Sequence, residues 1–83
     1  MSYKIAFRKS VSRDLKKLNK DDVEKILNKI GQDLPEKADT FPLLAGKFSG
    51  LRKFRIGDYR VIYTIIENTA LVLRISHRRD AYR

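Results

Sequence analysis

Residues 51–66 read LRKFRIGDYRVIYTII, in which apolar and polar residues alternate on both sides of Gly57-Asp58. Alternation with a period of two is typical of a strand with one buried face, and a Gly-Asp pair is typical of a two-residue hairpin loop. The stretch therefore predicts a β-hairpin whose strands cover residues 51–56 and 59–66.

A turn at Gly57-Asp58 also fixes which residues of the two strands oppose each other. Arg55 opposes Arg60, and Lys53 lies on the same face of the hairpin as these two arginines. The opposite face is apolar throughout and carries Phe54, Ile56, Tyr59, Val61, Tyr63 and Ile65. Two directly opposed arginines repel each other, which costs a few tenths to about 1 kcal/mol. We therefore expect the basic face to bind phosphate between its cations; the alternative is a solvated basic face with no ligand.

Two apolar stripes with helical spacing precede the hairpin and predict two antiparallel helices. The stripes are Val11, Leu15 and Leu18 in the first helix, and Val23, Ile26, Leu27, Ile30 and Leu34 in the second. Ser10 or Ser12 is the expected cap of the first helix, which continues to about Asn19. Asn19 is expected to cap the second helix, and Pro35 is expected to end it.

Short alternating runs near both ends of the chain predict two further strands, at residues 3–7 and 70–76, the second following a turn at 67–69. Residues 35–50 predict a loop. Its apolar residues that we expect to contact the core are Phe41, Leu43 and Leu44. The predicted order is β-α-α-β-β-β, an α+β fold with two antiparallel helices packed on one face of a small twisted antiparallel sheet. The length of 83 residues predicts one domain, 1–83.

The charge of the chain points to a polyanionic partner. Nineteen Lys and Arg residues against ten Asp and Glu residues give a net charge of +9. Seven of the nine arginines lie in residues 41–83, together with only three acidic residues. Because the planar guanidinium group binds phosphate through two parallel hydrogen bonds, this half of the chain is the expected active surface. Nucleic acid is the first candidate partner, ahead of an acidic protein or an anionic membrane surface.

The composition also excludes several classes of site. The chain has no cysteine and one histidine, so a thiol nucleophile and a Cys- or His-built metal site are not expected. No apolar run is long enough to span a bilayer, and no signal peptide is evident, so the expected location is the cytoplasm. Asp58, Glu67 and Asp80 are too scattered to hold metal ions for phosphoryl chemistry. No metal or other cofactor is expected.

The C-terminal residues 74–83, RISHRRDAYR, form a second basic cluster. The last predicted strand lies beside residues 59–66, so its exit can bring His77, Arg78 and Tyr82 close to Arg60. The alternative is a frayed basic tail. A tyrosine among arginines offers a phenol for proton transfer or a ring that stacks on a base. A metal-free catalyst of this kind suits RNA, whose 2′-OH is an internal nucleophile, and not DNA.

Several stretches resemble the RelE/ParE superfamily of bacterial and archaeal toxins. They are KSVSRDLKKL, FPLLAGKFSGL, the run LRKFRIGDYRVIY at 51–63 and the ending SHRRDAYR at 76–83, which together cover nearly the whole chain. The resemblance implies a metal-free endoribonuclease that enters the ribosomal A site and cuts mRNA there. It also implies the β-α-α-β-β-β fold.

The resemblance assigns roles to individual residues. The implied catalytic residues are Lys53, Arg60, Arg78 and Tyr82, and the further RNA-binding residues are Arg52, Arg55, His77, Arg79 and Arg83. Arg60 is expected to bind the scissile phosphate, and Arg78 the phosphate or the leaving oxygen. Lys53, Tyr82 and His77 all stay candidates for the general base.

The resemblance also implies partners. These are the ribosome and its mRNA, together with a cognate antitoxin that is acidic, partly disordered and DNA-binding and that forms a hetero-oligomer with the toxin. No membrane partner is expected. Two alternatives share the fold: a ParE-like poison of DNA gyrase that is not a nuclease, and a non-catalytic module that binds RNA or the ribosome.

Overall fold

A computed structural model describes residues 2–46 and 50–79, which form two helices and one four-stranded sheet. The elements in chain order are β1 (Lys4–Phe7), α1 (Lys9–Lys16), α2 (Lys20–Lys37), β2 (Arg52–Ile56), β3 (Tyr59–Ile66) and β4 (Thr69–His77). In space the strands follow the order β1-β4-β3-β2. The predicted α+β fold and the predicted order of elements are confirmed.

The sheet is mixed. Strands β2, β3 and β4 form an antiparallel meander, whereas β1 pairs with β4 in parallel, from Lys4 opposite Thr69 to Phe7 opposite Val72. The predicted antiparallel pairing therefore holds for the meander but does not extend to β1. The helices α1 and α2 separate β1 from the meander, and a connection of that length allows the parallel pairing that a tight turn forbids.

The hairpin of β2 and β3 has the predicted register. Arg55 opposes Arg60, and Lys53 opposes Ile62. The two-residue loop depends on Gly57, which has a φ of 58°, in the left-handed region that glycine adopts without steric cost. The apolar face of this hairpin contributes Phe54, Val61 and Tyr63 to the buried core, with Ile56, Tyr59 and Ile65 packed against it.

The core lies between that face and one side of α2. The buried residues of α2 are spaced at helical intervals, and Ala38 follows them: Ile26, Ile30, Leu34 and Ala38. The remaining fully buried residues come from α1 and β4: Val11, Ala70, Val72 and Ile75. The helices therefore cover one face of the sheet, as predicted.

The start of α1 differs from the prediction. Its N-cap is Arg8, which forms no side-chain cap, and the helix ends at Lys16 instead of near Asn19. Ser10 donates instead to the carbonyl of Leu73 at 2.8 Å, and Ser12 lies inside the helix. The predicted serine cap is wrong because the Ser10 hydroxyl bonds to the neighbouring strand.

The second helix begins as predicted and ends later. The Asn19 side chain accepts a hydrogen bond from the amide of Asp22 at 2.8 Å, which confirms the cap. The helix continues through Pro35 to Lys37, so the predicted end is wrong. Leu34 and Ala38, on either side of Pro35, are both fully buried, and the amide of Tyr3 donates to the Pro35 carbonyl at 2.7 Å. These tertiary contacts outweigh the backbone hydrogen bond that proline cannot make.

The described part of the loop contacts the core through Phe41. Its ring stacks on Phe54 with centroids 4.4 Å apart. Leu44 is half-buried, and its amide donates to the carbonyl of Leu51 at 2.8 Å. Leu43 is 58% exposed, so the prediction that it contacts the core is wrong. Residues 47–49 of the predicted loop lie outside the described residues.

The helix α1 covers the edge of β4 that β1 leaves open. Beyond the last β1 pair, the amide of Arg8 donates to the Val72 carbonyl at 2.9 Å. The carboxylate of Asp14 then accepts the amide of Ile75, also at 2.9 Å. Asp14 is only 8% exposed. The helix thus provides hydrogen-bond partners for the edge of β4 where a strand would otherwise be needed.

We expect Asp14→Ala to lower the free energy of unfolding by about 2 kcal/mol, because the buried amide of Ile75 loses its acceptor. Urea denaturation measures the change. Asp33→Ala is the control, since it removes a carboxylate whose ion pair with Lys29 lies near the surface of α2 and which we expect to contribute less than about 1 kcal/mol. Equal losses in both variants would contradict the assigned role of Asp14.

Stability should also fall at alkaline pH because of Tyr63. Burial raises the pKa of Tyr63 from 10.0 to about 12, and its hydroxyl donates to the carbonyl of Ala38. Between these two values the unfolded chain loses the tyrosine proton while the folded chain keeps it, so stability declines as the pH rises. We expect a loss of up to about 3 kcal/mol between pH 10 and 12. Urea titrations at several pH values should show this loss in the wild type and a flatter profile in Tyr63→Phe.

Candidate nucleic-acid interface

The face of the sheet opposite α2, which we call the outer face, carries two rows of cross-strand neighbours near the β2–β3 turn. Arg55, Arg60 and Ser76 form one row, and Lys53, Ile62 and Arg74 form the next. Within the described residues neither helix packs on this face, because both lie on its apolar counterpart. We call Lys53, Arg55, Arg60 and Arg74 the basic cluster.

The basic cluster lies on strands that supply cations and no carboxylates. The strands β2, β3 and β4 contain no Asp or Glu. Directly opposed residues on antiparallel strands have α-carbons roughly 5 Å apart, so Arg55 and Arg60 place two positive charges side by side. Arg55 is exposed and Arg60 is half-buried, which brings one guanidinium group to the solvent and holds the other closer to the sheet.

One carboxylate reaches the edge of the cluster from α1. The Nε of Arg74 donates to Asp14 at 3.2 Å, and the arginine side chain is 60% exposed. Arg74 was not among the residues predicted for the site. A β-bulge brings it to the outer face: Tyr63 opposes Val72, but Ile62 opposes Arg74, so Leu73 is the extra residue.

Two predicted RNA-binding residues lie on the other face of the sheet. His77 opposes Tyr59 and packs edge-on against its ring, with centroids 5.3 Å apart. Arg52 opposes Tyr63, and its guanidinium donates to the carbonyl of Phe41 at 2.7 Å. The structure therefore separates His77 and Arg52 from the basic cluster. As a general base His77 would have to act from the face of the sheet opposite Arg60, and its catalytic role stays a prediction.

His77 borders a cavity of about 400 Å³ between α2 and the β2–β3 turn. Its lining is mixed: Asp22, Lys25, Ile26, Ile56, Gly57, Asp58, Tyr59 and His77. The hydroxyl of Tyr59 donates to Asp22 at 2.8 Å, and this hydrogen bond, together with burial, raises the pKa of Tyr59. The tyrosine is thus held in its protonated form as a link between α2 and the sheet.

The chain leaves β4 at the end of the sheet where the basic cluster lies. The amide of Arg78 donates to the carbonyl of Asp58 in the β2–β3 turn at 2.7 Å, which places this residue near the row of Arg60. Both Arg78 and Arg79 are exposed, and the amide of Arg79 donates to Nδ1 of His77. Tyr82 and Arg83 lie outside the described residues, so their predicted roles stay predictions.

Other kinds of site are not found in the described parts of the chain. In residues 2–46 and 50–79, no three His, Cys, Asp or Glu side chains come together in a group that could hold a metal ion. Neither of the two helices described is both long enough and apolar enough to cross a membrane. The basic cluster is therefore the feature of the described surface whose chemistry is most distinctive.

A cluster of arginine and lysine side chains can bind a phosphodiester and stabilise the transition state of its cleavage. Arginine and lysine side chains bind the phosphate, and their charge stabilises the additional negative charge that develops in a pentacoordinate transition state. An adjacent 2′-OH would supply the nucleophile, so the strand that the face could cut is RNA. A base and an acid are still required for the two proton transfers.

Comparison with known proteins identifies the family. The family model described as ParE toxin of type II toxin-antitoxin system, parDE, matches residues 5–82. Toxin RelG of Mycobacterium tuberculosis is 32% identical over 90 aligned positions, which cover 100% of this chain and 99% of the relative.

Solved structures agree with this assignment. The toxin–antitoxin complex RelBE2 of M. tuberculosis contains a chain with a TM-score of 0.86 and 27% identity, covering 94% of this chain and 100% of that one. The archaeal RelE–RelB complex of Pyrococcus horikoshii gives a TM-score of 0.72 and 26% identity, covering 98% and 100%. A chromosomal ParDE system of P. aeruginosa shares the fold at 12% identity, with a TM-score of 0.76 over 92% and 96%. The chain belongs to the RelE/ParE superfamily of toxins of type II toxin–antitoxin systems.

Proposed function

We propose that this toxin is a ribosome-dependent endoribonuclease that cuts mRNA in the ribosomal A site and thereby stops translation. The observation that supports this most strongly is the pair Arg55 and Arg60, directly opposed on a sheet face that no described helix covers. Two opposed cations suit a phosphate bound between them, because the negative charge of the phosphate offsets their mutual repulsion. The relatives named RelG and RelE add support from the family.

In this proposal the 2′-OH of the mRNA attacks the neighbouring phosphate, and the bond to the 5′-oxygen of the next nucleotide breaks. Arg60 binds the scissile phosphate, and Arg78 binds the phosphate or the leaving oxygen. Arg55 is a further phosphate contact. Lys53 is the candidate base on the described part of the outer face, and Tyr82 is the other candidate for proton transfer. The leaving oxygen takes up one proton as the 2′-OH loses one, so the two proton transfers balance.

A cognate antitoxin is the proposed inhibitor. Several structural relatives are toxins solved as complexes with antitoxins, among them the RelBE2 and RelE–RelB complexes. A net charge of +9 favours an acidic antitoxin segment, partly disordered before binding, that covers the basic cluster. We place both proteins in the cytoplasm, where the ribosomes are, as a hetero-oligomer whose antitoxin also binds DNA.

The description of the matching family as ParE toxin favours a second candidate function, the poisoning of DNA gyrase without nuclease activity. The two candidates are separated by adding the purified protein to a cell-free extract that translates a reporter mRNA. Cleavage of the mRNA that requires ribosomes supports the proposed function. Intact mRNA together with gyrase-trapped DNA breaks would contradict it and support the second candidate.

A further inference from the structure

Arg74 combines two features that set it apart from the other surface cations. It lies on the outer face, in the row of Ile62 and Lys53, and its Nε is bound by the buried carboxylate of Asp14. Asp14 is itself fixed by the amide of Ile75 at 2.9 Å. The guanidinium group is therefore attached to a rigid acceptor, while most of the side chain stays in solvent.

The bond to Asp14 uses one of the five N–H donors of the guanidinium group. Within residues 2–46 and 50–79, Asp14 is the only partner of this group. The four N–H bonds of its two terminal nitrogens therefore keep the planar fork that suits a phosphate. The ion pair compensates the charge of the buried Asp14 carboxylate, a structural role that one N–H donor fulfils and that leaves the two terminal nitrogens to a ligand.

The distance to Arg60 suits a single extended strand of RNA. Arg74 lies two residues before Ser76, which opposes Arg60 directly. Diagonal neighbours of this kind on adjacent strands are roughly 7–8 Å apart. A second phosphate group could thus meet Arg74 while the first is held by Arg60. The half-buried side chain of Ile62 lies between Arg74 and Lys53 in the same row of the sheet.

We propose that Arg74 binds the phosphate of a nucleotide next to the scissile one, and that Asp14 is a positioning residue that fixes the direction of the arginine. The inference rests on the proposed function, because it takes the bound strand to be RNA on the outer face. Arg74 contributes binding and not chemistry, so its loss affects the affinity for the strand and leaves the chemical step unchanged.

The test compares Arg74→Gln with wild type in two measurements. In ribosome-dependent cleavage we expect KM to rise about 5- to 10-fold, with kcat changed less than about 2-fold. In binding to ribosomes programmed with an mRNA that carries a 2′-O-methyl group at the cleavage site, we expect the slope of log K against log salt to decrease by about 0.7, the value for one phosphate contact. Arg74→Lys should restore most of the slope, because it keeps the charge.

Lys29→Gln is the matched control, since it also removes one positive charge and one ion pair, on α2. It should leave KM and the salt slope unchanged. Asp14→Asn should raise KM in the wild type but not in Arg74→Gln, and circular dichroism verifies that each variant is folded. The inference is overturned if Arg74→Gln binds with the wild-type slope, or if it lowers kcat and leaves KM unchanged. If the wild-type protein binds the programmed ribosomes but does not cleave the mRNA, the proposed endoribonuclease function is refuted. The role of Arg74 is still tested in that case, because the salt dependence of binding does not require cleavage.

Discussion

Arg60→Ala is expected to slow ribosome-dependent cleavage of mRNA by about 100-fold or more, because a preorganised cation at the scissile phosphate is lost. Arg60 lies directly opposite Arg55, in strands that contain no acidic residue, and its side chain is half-buried. It can therefore meet the developing negative charge without first moving out of water. Single-turnover cleavage on programmed ribosomes measures the effect on the chemical step.

Two variants sharpen this prediction. Arg60→Lys keeps the charge but loses the planar fork, so its rate should lie between those of Arg60→Ala and wild type. Arg13→Ala removes the same charge from the exposed surface of α1 and should cleave at the wild-type rate. The site is misplaced if Arg60→Ala cleaves as fast as Arg13→Ala while both remain folded.

The hairpin that carries Arg60 could be predicted from the sequence because two local signals agree. Alternation over 51–56 and 59–66 assigns each side chain to a face, and the loop Gly57-Asp58 fixes the register. A slip by one residue would place apolar residues in solvent, so the hydrophobic pattern and the turn specify the same pairing. The opposition of Arg55 and Arg60 follows from these two signals alone.

The register of β4 could not be predicted in the same way, because it contains a bulge. A simple hairpin that starts with Ile66 opposite Thr69 would place Arg74 opposite Val61, on the buried face. The extra residue Leu73 shifts the pairing, so Ile75 becomes buried instead. The sequence does hold a signal for this shift, since strict alternation from the buried residue Val72 would bury an arginine and expose an isoleucine.

The contacts of α1 and β1 with β4 could not be predicted from local sequence patterns, for a different reason. Alternation shows which face of β1 is buried, but it does not show which strand is its neighbour or in which direction that strand runs. Likewise, the sequence of α1 alone predicts that Asp14 is a solvated residue of an amphipathic helix. Its role becomes visible only in the structure, where it accepts a hydrogen bond from the edge of β4. Both the neighbour of β1 and the role of Asp14 depend on contacts between segments that are far apart in the sequence, so no short segment predicts them.

The second large effect on the cleavage rate is expected from substitution of a C-terminal arginine. Arg78→Ala should also slow cleavage by about 100-fold, whereas its neighbour Arg79→Ala should slow it less than about 3-fold. Arg78 lies two residues after Ser76, the residue that opposes Arg60, and the amide of Arg78 donates to the carbonyl of Asp58 in the β2–β3 turn. The amide of Arg79 bonds instead to His77, whose side chain lies on the opposite face of the sheet.

The chemical role of Arg78 can be separated from its position by changing the leaving group. An mRNA with a bridging sulfur at the scissile 5′-position has a leaving group that needs no proton, so it does not depend on a cation or acid that assists the leaving oxygen. If Arg78 acts on that oxygen, the sulfur substrate should restore the rate of Arg78→Ala to near the wild-type rate while leaving Arg60→Ala slow. If Arg78 binds the non-bridging oxygens, both variants should stay slow. Wild-type cleavage of the ordinary mRNA by Arg78→Ala would show that the arginine lies outside the site.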